Sequence, residues 1–214
     1  MSSRRVTIVE TVPVDQCRYC LIGVPDVGLV STIALSYIIQ EQQMKEVGYL
    51  ESDAFPPAIV VHNGDPKPPL RLYQKGDVLA IFSEVPVDAG LITPIARSIV
   101  EWAKRKQVDL VIALSGIAVP NRLELDVPEV YGVGSSPSVK TLMTNSAVRF
   151  LEEGFVTGLH AIVIQEGVQK QVPTMILLAQ AHLTYPDPAA AASLTTSLNN
   201  LLGWQVDTKE LQAR

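Results

Sequence analysis

The segment 23–28, with the sequence G-V-P-D-V-G, is the part of the chain whose residue types and spacing most resemble a ligand-binding loop. It connects an apolar predicted strand to an apolar predicted helix, and such a turn can bring backbone amides close to a pyrophosphate. A dinucleotide-binding turn has the pattern G-x-G-x-x-G, and this segment lacks the middle glycine. Pro25 removes one amide, Asp26 would repel a phosphate, and the Lys-Ser/Thr pair of a P-loop is absent. The segment therefore favours a tight strand-to-helix turn over a nucleotide site.

Further candidate residues follow other predicted strands, at the edge where open α/β sheets bind their ligands. Glu84 and Glu166 are two carboxylates that could act as general acid and base if one pocket held both. Glu84 precedes Val85 and Pro86, so the alternative is a strand end whose backbone turns away. The predicted cleft residues are Gly23, Pro25, Asp26, Gly28, Glu84, Ser115, Gly116, Arg122 and Glu166.

Other reactive side chains lack the neighbours that catalysis or metal binding requires. Ser115 stands in L-S-G-I, without the G-x-S-x-G elbow of serine hydrolases. None of the three histidines has a partner at metal-ligand spacing, and His160 is predicted to be a hydrogen-bonded residue entering a strand. Cys17 and Cys20 lead into a strand, which points their side chains to opposite faces. The sequence thus predicts no catalytic residue, no metal and no cofactor.

The composition indicates a protein that binds other protein chains. Hydrophobic residues make up 47% of the 214 residues and charged residues only 18%, below the roughly 25% of ordinary globular proteins. Part of the surface should therefore be apolar, which points to a homo-oligomer or a protein partner. The net charge of −5 argues against a nucleic-acid partner. No apolar run is long enough to cross a membrane and the first residues are polar, so a cytoplasmic location is expected.

The hydrophobic pattern predicts a single α/β domain over residues 1–214. Its expected architecture is a three-layer α/β/α sandwich around a mixed, mostly parallel central sheet, with a hairpin insert around 47–75. The predicted strands cover 6–10, 18–23, 47–52, 58–62, 70–74, 78–83, 109–114, 130–134, 158–164 and 174–179. The predicted helices cover 29–43, 92–106, 139–150, 188–202 and 206–211.

A series of sequence blocks together resembles the proteasome assembly chaperone family, specifically its archaeal members. The blocks are G-V-P-D-V-G-L-V-S at 23–31, E-V-G-Y-L-E-S-D-A-F-P-P at 46–57, F-S-E-V-P at 82–86, E-W-A at 101–103, A-L-S-G-I at 113–117 with N-R at 121–122, V-Y-G-V-G at 130–134 and P-D-P-A-A-A at 186–191. The resemblance implies a fold similar to nucleoside phosphorylases and a non-enzymatic, homo-oligomeric protein that binds proteasome α-subunits or a related subunit. Some family members dock through a hydrophobic-Tyr-any residue tail, whereas this chain ends in L-Q-A-R.

These observations are compatible with three hypotheses about the function of the protein. The leading hypothesis is a chaperone-like binding protein, with Phe55, Pro56 and Pro57 as a candidate exposed partner-binding loop; alternatively, Phe55 packs inward. The second is an enzyme of the nucleoside phosphorylase or hydrolase type, which would need Glu84, Glu166 and Arg122 around one small molecule. The third is a structural oligomer that scaffolds another family member.

Overall fold

Residues 5–212 are described by a computed structural model of the protein, and they form eleven strands and six α-helices. The strands are β1 (Thr7–Glu10), β2 (Tyr19–Gly23), β3 (Lys45–Glu51), β4 (Val60–His62), β5 (Asp65–Lys67), β6 (Leu70–Lys75), β7 (Val78–Ser83), β8 (Leu110–Ala118), β9 (Val130–Gly134), β10 (Arg149–Phe150) and β11 (Thr174–Ala181). The helices are α1 (Val30–Glu41), α2 (Ile92–Arg105), α3 (Pro137–Asn145), α4 (Leu159–Lys170), α5 (Pro188–Leu202) and α6 (Lys209–Gln212). The predicted domain 1–214 includes residues 1–4 and 213–214, and the terminal sequence L-Q-A-R includes residues 213–214. These residues lie outside the described residues.

Nine strands form one mixed sheet in the order β1-β3-β6-β7-β2-β8-β11-β9-β10. Its centre is parallel, because β2 pairs in parallel with β7 and β8, and β8 pairs in parallel with β11. The antiparallel pairings lie to either side, between β1, β3, β6 and β7 and between β9 and β11. Within the predicted insert, β4 and β5 form a separate two-stranded ribbon. The fold class predicted from the sequence is confirmed.

The helices cover both faces of this sheet. Successive residues of a strand point to opposite faces, and in β7 Leu79 and Ile81 join one core cluster while Ala80 and Phe82 join the other. The first cluster contains the buried faces of α2 and α4, and the second contains those of α1, α3 and α5. A central strand covered on both sides needs apolar residues at nearly every position, which explains the continuous apolar runs in β7, β8 and β11.

Two predicted elements were wrong. The segment 158–164, predicted as a buried strand, is the first half of α4, in which Leu159, Val163 and Gly167 are buried at a spacing of four residues. A short apolar run fits either structure, and here burial follows the helical period. The predicted helix over 139–150 ends at Asn145, and the chain then turns through Ala147, which has a φ of 55°, into the short strand β10.

A helix long and apolar enough to span a membrane is not found between residues 5 and 212.

Core packing around β11 predicts a large loss of stability when Leu177 is truncated. This residue is fully buried between β8 and β9, so Leu177→Ala should lower the free energy of unfolding by about 2–5 kcal/mol. The control is Val168→Ala on the exposed face of α4, which should change it by at most about 0.5 kcal/mol. Urea unfolding followed by circular dichroism measures both, and equal effects would contradict the assigned core.

Candidate functional site

A cavity of about 260 Å³ lies at the carboxyl ends of the central parallel strands. Asp26 and Val27 enter it from the turn after β2, residues 115–118 from β8, and Leu178 from β11. Residues 155–158 and His160 close it from the loop that precedes α4 and from the first turn of that helix. Of the nine predicted cleft residues, Asp26, Ser115 and Gly116 line this cavity.

Glycines allow the turn after β2 to lie directly on the neighbouring strand. A Cβ at Gly116 would collide with the carbonyl oxygen of Val27, so only glycine permits this approach. Gly28 has a φ of 64° and accepts a hydrogen bond from the Asp187 amide at 2.9 Å. Gly23 ends β2 and Pro25 stands in the turn that follows it. These four residues shape the turn and hold Asp26 against the sheet.

The carboxyl group of Asp26 is buried inside this turn. Its Oδ1 lies 3.2 Å from the hydroxyl oxygen of Ser31, which donates its one hydrogen to the Val24 carbonyl at 2.7 Å. Among the described residues, no group forms a well-aligned hydrogen bond with the buried Oδ2. Burial raises the pKa of Asp26 to about 7, even though nearby Ser115, Ser31 and the Gly116 amide lower it. Near neutral pH this carboxyl group is therefore present in both protonation states.

Ser115 lies between two ionisable groups but does not form a serine-hydrolase triad. The Ser115 hydroxyl is 3.3 Å from Nε2 of His160 and donates to the Gly116 carbonyl at 3.1 Å. In a triad the acid binds the histidine, whereas here Asp26 stands on the serine side. Burial lowers the pKa of His160 to about 4, so its ring is neutral at pH 7. The site can bind a ligand through these groups, but it lacks the order that activates a serine.

His160 was missed as a site residue because its segment was predicted to be a strand. As the second residue of α4 it reaches the cavity from a helix N-terminus. The available signal was Gly158 directly before the apolar run, because glycine is accepted at a helix N-cap. Gly158 has a φ of 82° and precedes the helix without a side-chain cap.

The other two predicted carboxylates do not meet. Glu84 follows β7 and accepts hydrogen bonds from Arg71 at 2.6 Å and His62 at 2.8 Å. Burial raises the pKa of Glu84, but these two hydrogen bonds outweigh it and the pKa is lowered overall. Glu166 lies on α4 and pairs with Arg97 of α2 at 3.0 Å. The structure therefore places the proposed acid and base in separate ion pairs, not in one pocket.

Arg122 is part of a buried ion pair outside the cavity. Its Nε and Nη2 donate to the two carboxylate oxygens of Asp187 at 2.7 and 2.9 Å, and Nη1 donates to the Leu125 carbonyl at 2.9 Å. Asp187 also caps α5 by accepting from the Ala190 amide at 3.0 Å. Burial raises the pKa of Asp187, yet these hydrogen bonds hold it below its ordinary value. Arg122 thus fastens the loop after β8 to the start of α5.

The candidate partner loop at 55–57 is divided between core and surface. The Phe55 ring is half-buried and packs against the core cluster beneath α2, whereas Pro56 and Pro57 are exposed.

Cys17 and Cys20 are buried free thiols, and burial raises the pKa of Cys17 to about 12. Between residues 5 and 212, no three His, Cys, Asp or Glu side chains form a group suited to hold a metal ion.

Exposed apolar side chains, here called the apolar rim, lie on loops at the same edge of the sheet as the cavity. Because β8 and β11 are parallel neighbours, the loops that follow them emerge at the same edge of the sheet as the cavity. These loops and the one before α4 carry five exposed large side chains, and Phe155 and Leu123 are 88% and 89% exposed. Exposed apolar surface that exceeds a few scattered side chains is typical of protein interfaces. The rim consists of Leu123, Val127, Phe155, Leu183 and Tyr185.

Loss of Arg122 should destabilise the protein strongly. Arg122→Ala leaves the Asp187 carboxylate buried without its cation, so we expect the free energy of unfolding to fall by about 3–5 kcal/mol. Arg149→Ala, which removes an exposed pair with Glu129, is the control and should cost at most about 1 kcal/mol. Similar losses in urea unfolding would contradict a structural role for Arg122.

The buried Asp26 predicts a specific pH dependence of stability. Its pKa in the folded protein, about 7, exceeds the ordinary value of 3.8, so the folded state binds the proton more tightly. Its contribution to the free energy of unfolding should therefore decrease by a few kcal/mol as pH rises from about 4 to about 7.

Asp26→Asn should remove this slope in unfolding measured across that pH range. Glu84→Gln is the control of opposite sign, since the lowered pKa of Glu84 gives stability that is lost as pH falls. A slope unchanged by Asp26→Asn would contradict the assignment.

Comparison with known proteins identifies one matching family model, a similar sequence and similar crystal structures. Residues 20–214 match the PAC2 family. An uncharacterized protein of Methanocaldococcus jannaschii is 27% identical over 187 residues, which are 87% of this chain and 76% of that protein. The crystal structure of Pyrococcus furiosus PbaA, described as an archaeal homolog of proteasome-assembly chaperone, has a TM-score of 0.90 at 30% identity, covering 97% of this chain and 90% of PbaA.

Pyrococcus furiosus PbaB, described as an archaeal proteasome activator, shares the fold with a TM-score of 0.82 at 19% identity, covering 99% of this chain and 95% of PbaB. These matches confirm the resemblance found in the sequence blocks, and the chain belongs to the PAC2 family.

Proposed function

We propose that this protein is a non-enzymatic, cytoplasmic binding protein with a proteasome-related role, which forms a homo-oligomer and binds proteasome α-subunits. Membership of the PAC2 family and the similarity to PbaA support the class of function. The observation that carries the proposal is the apolar rim, because five large apolar side chains on three loops would otherwise remain exposed to water. The buried free thiols of Cys17 and Cys20 are consistent with a reducing compartment.

The rim suits a protein partner better than the 55–57 loop does. Phe55 already packs against the core, which leaves Pro56 and Pro57 as the exposed part of that loop. The rim instead offers aromatic rings at Phe155 and Tyr185, and aromatic side chains are enriched in interface cores. We therefore place the α-subunit contact at the rim, with Pro56 and Pro57 as a secondary contact.

The geometry favours this function over a nucleoside phosphorylase or hydrolase. Such an enzyme would need a group that binds phosphate or ribose, and no arginine or lysine is among the residues that line the cavity at Asp26. Glu84, Arg122 and Glu166 are each engaged in a different ion pair. No observation on these residues supports turnover of a nucleoside.

Substitution of the rim tests the proposal. Wild-type protein should form a defined homo-oligomer and co-elute with proteasome α-subunits from the same source, measured by size-exclusion chromatography with light scattering. The triple variant Leu123→Ser, Phe155→Ser, Tyr185→Ser should keep the oligomer and lose co-elution, because each change removes exposed apolar contact area. The control is Val12→Ser with Val168→Ser, two exposed valines outside the rim, which should bind as wild type.

Three outcomes would contradict parts of the proposal. A rim variant that becomes monomeric would assign the rim to contacts between copies of this chain. A wild-type protein that ignores α-subunits and assembles with another family member would indicate the scaffold function. A monomer with measurable nucleosidase turnover would overturn the non-enzymatic function altogether.

A further inference from the structure

Strand β1 lies at one end of the nine-stranded sheet, and β3 is its one strand neighbour among the described residues. In an antiparallel pair, the backbone groups of alternate residues point to the neighbouring strand and those of the residues between them point away. The Thr11 amide donates to the Val47 carbonyl at 2.9 Å in the register of this pair, so the odd-numbered residues of β1 face β3. The amide and carbonyl groups of Ile8 and Glu10 therefore lie on the open edge of the sheet.

A groove of about 540 Å³ lies along this open edge. Residues 5–8 form one wall, and α2 with the turn before it forms the other. The Ser98 hydroxyl donates to the Val6 carbonyl at 2.9 Å, and the Trp102 indole donates to the Glu10 carboxylate at 2.8 Å. Because the two contacts advance together along both elements, α2 runs alongside β1. An extended chain in the groove could thus pair with β1 and contact α2 at the same time.

Three arginines line the groove against a single glutamate, namely Arg5, Arg97, Arg105 and Glu101. The Glu101 carboxylate is already paired with Lys170 at 3.0 Å. Arg97 pairs with a carboxylate of α4 at 3.0 Å, yet its side chain is still 55% exposed. Within the described chain, Arg5 and Arg105 form no ion pair. The groove therefore has an excess of positive charge, which suits an acidic partner.

The arginines of α2 set a spacing for the acidic residues of such a partner. Arg97 and Arg105 are eight residues apart on one helix, which separates them by about 12 Å along its axis. Residues i and i+4 of an extended strand point to the same face and are about 13 Å apart. Glu101 lies midway between the two arginines, where it would repel a third carboxylate. The groove thus matches a strand with acidic residues at i and i+4 and a neutral residue at i+2.

We propose that an extended acidic segment of a partner protein adds to β1 as a further strand of the sheet, with carboxylates on Arg97 and Arg105. Main-chain hydrogen bonds to the open edge supply affinity, and the arginines select for the acidic sequence. A second copy of this chain is disfavoured as the occupant, because a two-fold contact would bring the basic groove against itself. The groove shares no residue with the apolar rim, so this site does not depend on the proposed α-subunit contact.

Fluorescence anisotropy with two labelled peptides tests the charge preference. The acidic peptide is T-E-T-S-T-E-T, and its counterpart T-K-T-S-T-K-T differs only in the sign of its charges. The acidic peptide should bind with a Kd of about 0.1 mM, at least about tenfold more tightly than the lysine peptide. The protein has a net charge of −5, so unspecific attraction would give the opposite order. Equal binding of the two peptides, or tighter binding of the lysine peptide, overturns the proposal.

Two pairs of variants separate the backbone contact from the charge contact. Ile8→Pro removes an amide that points away from β3, a position where an edge strand tolerates proline, and it should weaken binding at least about fivefold. Ile8→Val keeps the amide and should bind as wild type. Arg105→Glu should weaken binding at least about fivefold. Lys104→Glu makes the same charge change on an exposed residue outside the groove, and it should alter affinity at most about twofold at about 150 mM salt.

Hydrogen exchange reports directly on strand addition. The acidic peptide should slow exchange in residues 6–11 of the wild-type protein, because the outward amides of β1 become hydrogen-bonded. All four variants are checked by circular dichroism before titration.

Three results would overturn the proposal. One is the absence of saturable binding by wild-type protein with the acidic peptide raised to about 2 mM. Another is binding without slower exchange in residues 6–11. The third is displacement of the peptide by inorganic triphosphate while Ile8→Pro binds as wild type, which would assign the arginines to a site for small anions.

Discussion

The close contact between the turn after β2 and strand β8 is the constraint on which the carboxyl edge of this protein depends. The Val27 carbonyl occupies the space that a side chain would need at Gly116. Asp26 is thereby held inside the fold, where the Ser31 hydroxyl of α1 lies beside it. The same turn ends at Gly28, whose carbonyl accepts the Asp187 amide at the start of α5. One short turn thus links β2, β8 and the start of α5 at the edge where the candidate functional groups lie.

The buried ion pair of Arg122 and Asp187 fixes the surface loops that follow β8 and β11. Asp187 receives two hydrogen bonds from Arg122, and it also caps α5 and accepts from the His182 amide. The loops that carry Leu123 and Leu183 are therefore tied to each other through a single carboxylate. A buried ion pair does not by itself add much stability, but it specifies one arrangement of the chain. If the rim binds a partner as proposed, a fixed arrangement of its side chains lowers the ordering cost of binding.

The sequence predicted the layers of the fold, but it predicted a strand where α4 begins. Strands β7 and β11 were predictable because their continuous apolar runs fit a strand of a sheet that is covered on both faces. The start of α4 has an equally apolar run, and only its burial at Leu159, Val163 and Gly167 distinguishes a helix from a strand. That error placed Glu166 at a strand end and hid His160. The partners of Arg122 and Glu84 were not predictable, since the first lies 65 residues away and the second depends on Arg71, which is buried in β6.

The turn at 23–28 explains why this edge of the sheet does not suit a phosphate. In a phosphate-binding turn, the amides at the start of the helix face an external anion. Here the protein supplies its own anion, because the Asp26 carboxylate lies beside the Ser31 hydroxyl at the start of α1 and near the Gly116 amide of β8. A phosphate at that position would meet a second negative charge in a buried site, and no lysine or arginine among the lining residues would offset it. The charge of this turn therefore argues against a nucleotide at the carboxyl edge of the sheet.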